Sequence, residues 1–300
     1  MKTYADRPWL AHMDPRIDRN PILPETPVHQ FLTDSFRKYP DHIALYFYGA
    51  EFTYAELESL TNKLANSLAK LGVRKGDRVA LCMDNCPQYV IAFFAVLKAG
   101  AAVVQITPMA TEREALYLIN DSGSKGIVTL DYIWPRIKTV MNESPLAFAV
   151  VGSLYDYLPL TPFPVKPFAI PEKPLGIESA ADVYEFKTLL NESCAFTPPV
   201  MNSRQDLAVL QYTSGTTGFA KGVMVTHYNL SSYVTLLMTM DYRNEPGKEI
   251  YPVTLPMSHN YAMFQTVVAP IAMGGKVVIM VRFHPDEALR VIDRLHTTIF

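Results

Sequence analysis

Thr213-Ser214-Gly215-Thr216-Thr217-Gly218 is a run in which every residue is glycine or carries a hydroxyl. It lies between two apolar stretches, Asp206 to Tyr212 and Gly222 to Val225, that read as strands. Nothing in the run is bulky and nothing is negative. Glycine lets the backbone fold back so that its N–H groups face a phosphate chain, and the hydroxyls can donate to phosphate oxygens or hold a metal ion. Lys221, just beyond the run, adds one positive charge. ATP brings about four negative charges, so a site for it needs such donors plus a divalent cation. The same composition suits an uncharged surface hairpin, and the residues alone leave both readings open.

Working outward, the chain alternates strands with helices. Thr53-Tyr54-Ala55-Glu56 forms a capping-box pattern, and Leu57, Leu60, Leu64, Leu68 and Leu71 follow at helical spacing until Gly72. Before it, a short helix is expected over 28–39 and a strand over 42–48. After it come a strand over 77–83, a helix opened by Pro87, a strand over 101–106, a helix over 111–122, a strand over 126–130 and a helix over 132–142. Beyond the hydroxyl run, a helix over 228–240, a strand over 250–255, a helix over 260–273, a strand over 276–281 and a helix opened by Pro285 complete the series. Such alternation predicts an α/β fold of mostly parallel sheets flanked by helices. Residues 155–205 break the rhythm with a run of prolines from Pro159 to Pro199 and one amphipathic piece near 183–190. The organisation expected is an N-terminal arm (1–26), a first α/β subdomain (27–154), a proline-rich excursion (155–205) and a second α/β subdomain (206–300). Thr297 to Phe300 reads as a strand just beginning, which suggests a chain cut short.

Composition narrows the classes. The 300 residues are 49% hydrophobic and 19% charged, ordinary for a globular chain large enough to bury a core. A net charge of −2 supplies no basic field for nucleic acid. Cys82, Cys86 and Cys194 show no CxxC spacing, which points to a reduced compartment, no structural metal and thiols that serve as inert packing. The N-terminus has no signal-peptide run, and the longest apolar stretch, Val90 to Leu97, is too short to span a bilayer. A cytoplasmic protein is expected; a membrane-peripheral habit and a homodimer stay open.

Competing loop motifs fail. A Walker A loop needs Gly-Lys followed by Ser or Thr, and Ala220-Lys221-Gly222 breaks both ends. No GxGxxG opens a helix after a strand, and no GxSxG forms a nucleophile elbow. Tyr212 to Val223 instead resembles the signature of the acyl-adenylate-forming superfamily, which includes acyl-CoA synthetases, peptide-synthetase adenylation domains and firefly luciferase. Ala220 stands where the family usually has proline. Phe52 to Leu57, Gly72 to Ala80, Leu97 to Ala101, Thr226-His227, Asn229-Leu230 and Leu255 to His259 are similar to further family blocks, so the resemblance covers nearly the whole chain. Pro8-Trp9-Leu10 and Tyr39-Pro40-Asp41 look most like fatty-acid–CoA ligases.

The resemblance implies ATP-dependent activation of a carboxylic acid. The carboxylate attacks the α-phosphate of Mg-ATP to give an acyl-adenylate and pyrophosphate, and coenzyme A then displaces AMP. Catalysis of this type is mainly positioning and charge neutralisation. By positional match, Thr213, Ser214, Gly215, Thr216, Thr217, Gly218 and Lys221 would hold the β- and γ-phosphates, with Thr213 nearest Mg2+. His259 would stand at the mouth of the acyl pocket near the α-phosphate. Tyr261 and Gln265 would fall on the acyl-pocket helix, and Arg282 at a position sometimes facing coenzyme A. Each residue has a plainer alternative: a solvated lysine, a satisfied histidine, helix packing. His227 is expected to cap or pack beside the loop, and Asp84 and Glu112 to sit where helices begin, without a catalytic role.

The family continues into a Tyr-Gly-x-Thr-Glu segment whose Glu binds magnesium, a ribose-binding aspartate and a small C-terminal domain with the adenylation lysine. None of these occurs among the 300 residues, so slow or absent turnover by this chain alone is expected. Two other readings remain: a catalytically inactive nucleotide-binding or interaction protein of the same fold, and an aryl-acid–CoA ligase. The missing aspartate in Met257 to Asn260 disfavours amino-acid substrates.

Overall fold

The capping signals open the helices as expected and set the frame for two sheets. The computed structural model describes residues 4, 7–167, 170–177, 180–213, 220–241 and 243–300. Beyond the arm, α1 (His29–Lys38) leads to the hairpin of β1 (Ile43–Phe47) and β2 (Ala50–Thr53). Its two-residue turn places Tyr48 at φ 48° and Gly49 at φ 104°, the left-handed pair such hairpins need. Tyr48 is strained there, and its hydroxyl secures it by bonding the Glu287 carboxylate and accepting from Val281 N–H.

In α2 (Tyr54–Lys70), Thr53 Oγ1 accepts from Glu56 N–H at 3.1 Å while the Glu56 carboxylate accepts from Thr53 N–H at 2.8 Å. Gly72, at φ 89°, closes the helix. The alternation then runs β3 (Arg78–Cys82), α3 (Pro87–Lys98), β4 (Ala102–Gln105), α4 (Glu112–Ser122), β5 (Gly126–Leu130), α5 (Trp134–Met141), β6 (Phe148–Gly152) and β7 (Val183–Glu185). It resumes with β8 (Leu207–Thr213), β9 (Lys221–Thr226), α6 (His227–Met240), β10 (Ile250–Val253), α7 (Asn260–Met263), one π-helical turn (Phe264–Val268), α8 (Ala269–Ala272), β11 (Lys276–Ile279) and α9 (Pro285–Leu295).

These strands form a seven-stranded sheet, β7-β6-β5-β3-β4-β8-β9, and a four-stranded sheet, β10-β11-β1-β2. All neighbours are parallel except β8 with β9 and β1 with β2. Each sheet draws on early and late stretches: β1 pairs with β11, and β4 pairs with β8. Helix α3 packs on β3, β4 and α2, and α2 packs on β1 and β2, so both helices lie between the sheets. Every residue of α3 is buried, which is why it is apolar on all sides. Its one charge, Lys98, is matched by Glu58 at 2.8 Å and by Thr61 and Asn62 on α2.

Three strands were not foreseen, the first being β2, the return arm of the hairpin after Gly49. Phe148-Ala149-Val150-Val151-Gly152 is β6, a short, fully buried parallel strand that shows no alternation. The expected amphipathic piece near 183–190 divides into β7 and a 3-10 turn, Thr188–Asn191. Residues 297–300 are not a strand, yet Thr298 and Ile299 N–H groups reach the Ile250 carbonyl, so the segment runs along the open side of β10.

Candidate active site

In open α/β sheets, ligands sit beyond the carboxyl ends of the parallel strands. Here the ends of β3, β4 and β8 from one sheet meet the ends of β10 and β11 from the other. Asn85, just after β3, donates to Leu255 O at 3.0 Å and accepts from Met257 N–H at 2.7 Å. Gln105, the last residue of β4, donates to Met257 O at 2.9 Å, and Gln211 on β8 reaches Ser258 O at 3.5 Å. The segment 255–258 is therefore held by amide side chains from the neighbouring sheet.

The hydroxyl run joins β8 to β9. Ser214, Gly215, Thr216, Thr217 and Gly218 lie outside the described residues; the feet of the loop do not. Thr213 pairs directly with Lys221, and both are exposed. Tyr212 pairs with Gly222, and a side chain at 222 would meet the Tyr212 ring at 3.1 Å, so glycine makes room for that ring. Helix α4 grips both feet. Tyr117 donates to Ala220 O at 2.9 Å, and the Tyr212 hydroxyl donates to the Asp121 carboxylate at 2.5 Å. Burial, then that carboxylate, pushes the Tyr212 phenol up, so it remains a protonated donor. Between α4 and the feet lies an open groove of about 720 Å³.

His259 caps α7. Its Nδ1 accepts from Tyr261 N–H at 3.2 Å, and its side chain is exposed. With Nδ1 used as an acceptor, the neutral ring carries its proton on Nε2 and presents a donor. The residue before it bonds Gln211, which stands two positions ahead of Thr213, so His259 is tied to the loop-bearing strand. On its other side Tyr261 and Gln265 line a cavity of about 340 Å³ with Leu237, Met238, Tyr251, Leu255, Ala269 and Met273. Gln265 and Thr266 fall in the π-helical turn; such turns recur at functional sites because they re-aim side chains. Tyr261 is 48% exposed, and Gln265 is half-buried and accepts from the Tyr233 hydroxyl at 3.4 Å.

Arg282 follows β11. Its Nε and Nη2 are both 2.9 Å from Asp84, a two-point pairing that raises the guanidinium pKa further. Asp84 is only 6% exposed and also accepts from the Tyr132 hydroxyl. It lies in the lead-in to α3, two residues ahead of the N-cap Cys86, and it anchors Arg282. The pair borders a second cavity, of about 240 Å³, lined by Met83, Pro108, Met109 and Phe283. Thr254 and Leu255 line both cavities, so the clasped segment is the wall between them.

The secondary candidates divide. His227 is fully buried at the start of α6, and its Nδ1 accepts from Val28 N–H at 3.2 Å, a packing role beside the hairpin. Glu112 is exposed in the first turn of α4. Cys82 and Cys86 are buried, and burial pushes the Cys82 thiol up to about 12. Cys194 is exposed, so the expectation that it packs is corrected. Sequence reasoning overlooked Asn85, Gln105, Gln211, Tyr117 and Asp121. A signal existed for the two glutamines: each is a polar residue near the carboxyl end of an otherwise apolar strand.

A family model described as AMP-binding enzyme matches residues 32–300. The chain belongs to the AMP-binding enzyme family. Within that family it is 33% identical over 299 residues to a long-chain-fatty-acid–CoA ligase of Bacillus subtilis, covering 99% of this chain and 53% of the relative. A solved long-chain-fatty-acid–CoA ligase from Archaeoglobus fulgidus superposes with a TM-score of 0.78 at 22% identity, covering 93% of this chain and 52% of that one. An anthranilate–CoA ligase solved with anthranoyl-AMP superposes at 0.76 with 20% identity, covering 93% and 50%. These superpositions establish the acyl-CoA synthetase-like fold. The chain spans about half the length of these family members.

Proposed function

We propose that this chain carries the phosphate-gripping loop and acyl pocket of an ATP-dependent fatty-acid–CoA ligase. The observation that carries this reading is the place of His259. It stands between the strand bearing the hydroxyl loop and an apolar cavity, where a carboxylate and an α-phosphate would have to meet. On this reading Thr213 to Gly218 and Lys221 hold the β- and γ-phosphates, and the His259 Nε2–H donates to oxygen at the reacting centre. Charge neutralisation and alignment are what such a displacement requires, since the attacking carboxylate is a weak nucleophile.

The lining Leu237, Met238, Leu255, Ala269 and Met273 suits an alkyl chain, while Tyr261, Gln265, Asp241, Asn244 and Thr266 supply the polar part of the wall. The long-chain-fatty-acid name of the Bacillus subtilis relative supports that substrate class. For magnesium, the donor set is a restriction. No cluster of three His, Cys, Asp or Glu side chains able to hold a metal occurs among the described residues. The exposed Thr213 hydroxyl fits an ion that arrives on the triphosphate, not one the chain holds by itself. Magnesium would supply neutralisation of phosphate charge. Arg282, whose Nη1 is left outside the Asp84 pair, is the candidate for coenzyme A. No helix among the described residues is long and apolar enough to cross a membrane, which is compatible with a cytoplasmic site of action.

Calorimetry and thermal-shift titration of the chain with MgATP, then with fatty acids of graded length, tests the proposal. Saturable binding of both is expected, with affinity rising with alkyl length. If benzoate-type acids bind and alkyl acids do not, the aryl-acid reading replaces this one. If neither nucleotide nor acid binds, the interaction-protein reading does.

A further inference from the structure

The segment 255–259 must leave β10, cross toward the other sheet and start α7. Its backbone groups have no strand beside them. The side-chain amide of Asn85 takes that place. It donates to Leu255 O at 3.0 Å and accepts from Met257 N–H at 2.7 Å, the two-point pattern a neighbouring parallel strand makes on residues i−1 and i+1. Gln105 adds a donor to Met257 O at 2.9 Å, and His259 N–H closes the turn onto Pro256 O at 2.9 Å. Asn85 and Gln105 are each 2% exposed, so these bonds are made away from water, where losing one leaves a buried group unpaired.

We propose that Asn85 is a positioning residue of this site, a false strand that fixes the 255–259 turn and through it the orientation of His259. The inference rests on the proposed role of His259 for its meaning; its geometry does not depend on that role. Asn85 is itself fixed, because it lies between Asp84, locked to Arg282 and Tyr132, and Cys86, which precedes the first turn of the fully buried α3. Met257, only 1% exposed, is pinned on both its N–H and its carbonyl. Two residues later the His259 ring turns its Nδ1 to Tyr261 N–H, which leaves Nε2 as the ring nitrogen not used by the cap. Neither an aspartate nor a leucine at 85 makes both bonds: one lacks the donor, the other lacks donor and acceptor.

The test is spectroscopic. In chain labelled with ¹⁵N-histidine, two-bond correlations at pH 7.5 read the tautomer of each imidazole, and a His259→Gln sample assigns the His259 signal. The parent is expected to show His259 as the Nε2–H tautomer. In Asn85→Ala, His259 is expected to collapse to an averaged mixture while the other histidines keep their signatures, which reports a folded chain. An unchanged His259 in folded Asn85→Ala overturns the proposal. Should that variant not fold, Asn85→Ser, whose hydroxyl is too short to reach both backbone groups, decides by the same two outcomes. MgATP titration of the parent sample separates this from the functional reading. A parent that ignores MgATP while His259 still answers to position 85 refutes the nucleotide assignment and leaves the clasp standing.

Discussion

Acid should loosen this fold through two histidines before its carboxylates titrate. His29, at the start of α1, and His227, at the start of α6, face each other edge-on with ring centroids 6.3 Å apart. Both are buried, and His29 Nδ1 and His227 Nε2 have no hydrogen-bond partner among the described residues. Burial is the main cause that lowers His29 to about 3 and His227 to about 4; the neighbouring imidazole and Lys98 press further on His29, while Asp206 partly opposes the fall for His227. In the unfolded chain both titrate near 6.5. Below that pH the unfolded state binds more protons than the folded one, so stability falls as pH falls, until the folded values are reached. Above 6.5 both states are neutral and the pair is silent. Each histidine contributes at most about 1.4 kcal/mol per pH unit, so moving from pH 7 to pH 5 costs about 3–4 kcal/mol for the pair. That is a large part of a typical stability of about 5–15 kcal/mol. Urea denaturation at the two pH values measures it. His227→Asn, which keeps an acceptor for Val28 N–H and cannot titrate, should lose about half of the pH effect. If the parent is equally stable at pH 7 and pH 5, or if His227→Asn leaves the difference whole, the buried neutral pair is wrong.

Lys221→Ala should weaken MgATP binding about tenfold or more, the worth of one charge-assisted contact, without moving the urea midpoint, because the side chain is exposed. An unchanged affinity by calorimetry would remove Lys221 from the phosphate site. Tyr117→Phe deletes the bond to the Ala220 carbonyl, worth about 1 kcal/mol, and should cost about fivefold in MgATP affinity if α4 presets the loop. A fall in stability with full affinity would make that bond scaffolding only. Gly126→Ala places a methyl 2.1 Å from the buried Phe148 ring and should destabilise by about 1–3 kcal/mol, read as a lower urea midpoint with an unchanged slope. A midpoint within error of the parent refutes that packing.

Much of the frame could be read in advance because its signals are local. Thr53 and Glu56 announce α2, Gly72 ends it, and Pro87 and Pro285 open their helices. The strand β6 was missed because a five-residue apolar run has no period to distinguish it from a helix segment. The sharing of strands between sheets was also hidden. Nothing in Leu45 or Tyr46 specifies that they pair with Val277 and Val278 more than two hundred residues later. At the site, the motif pointed to the hairpin, whose feet are Thr213 and Lys221, and to His259, Tyr261 and Gln265. It could not reveal Asn85 or Gln105, because their role is a contact between distant strand ends, and a single amide carries no local pattern. Arg282 was singled out by its match to a basic position of the family, yet Asp84, the partner that fixes it, looked like an ordinary residue before a helix.

The electrostatics of the converging strand ends follow one logic. Three carboxylates stand near the converging strand ends and the groove beside the loop's feet, and each is engaged: Asp84 by Arg282 and Tyr132, Asp121 by Tyr212, and Glu114 by Thr111 in the cap of α4. A free carboxylate there would repel the ligand; these spend their charge on orienting neighbours. What remains facing the region is a set of amides and hydroxyls, the His259 ring and exposed cations, Lys221 at the foot of the loop and Arg113 on the wall of the groove beside it. Such a surface attracts an anion by direction more than by net charge, and directed N–H and O–H groups gain strength only where water is excluded. Grip and solvent exclusion must therefore come together. The apolar cavity beside His259 serves both needs: an alkyl chain lodged against Leu237, Met238 and Met273 would drive water from the donors as it brings its carboxylate to them.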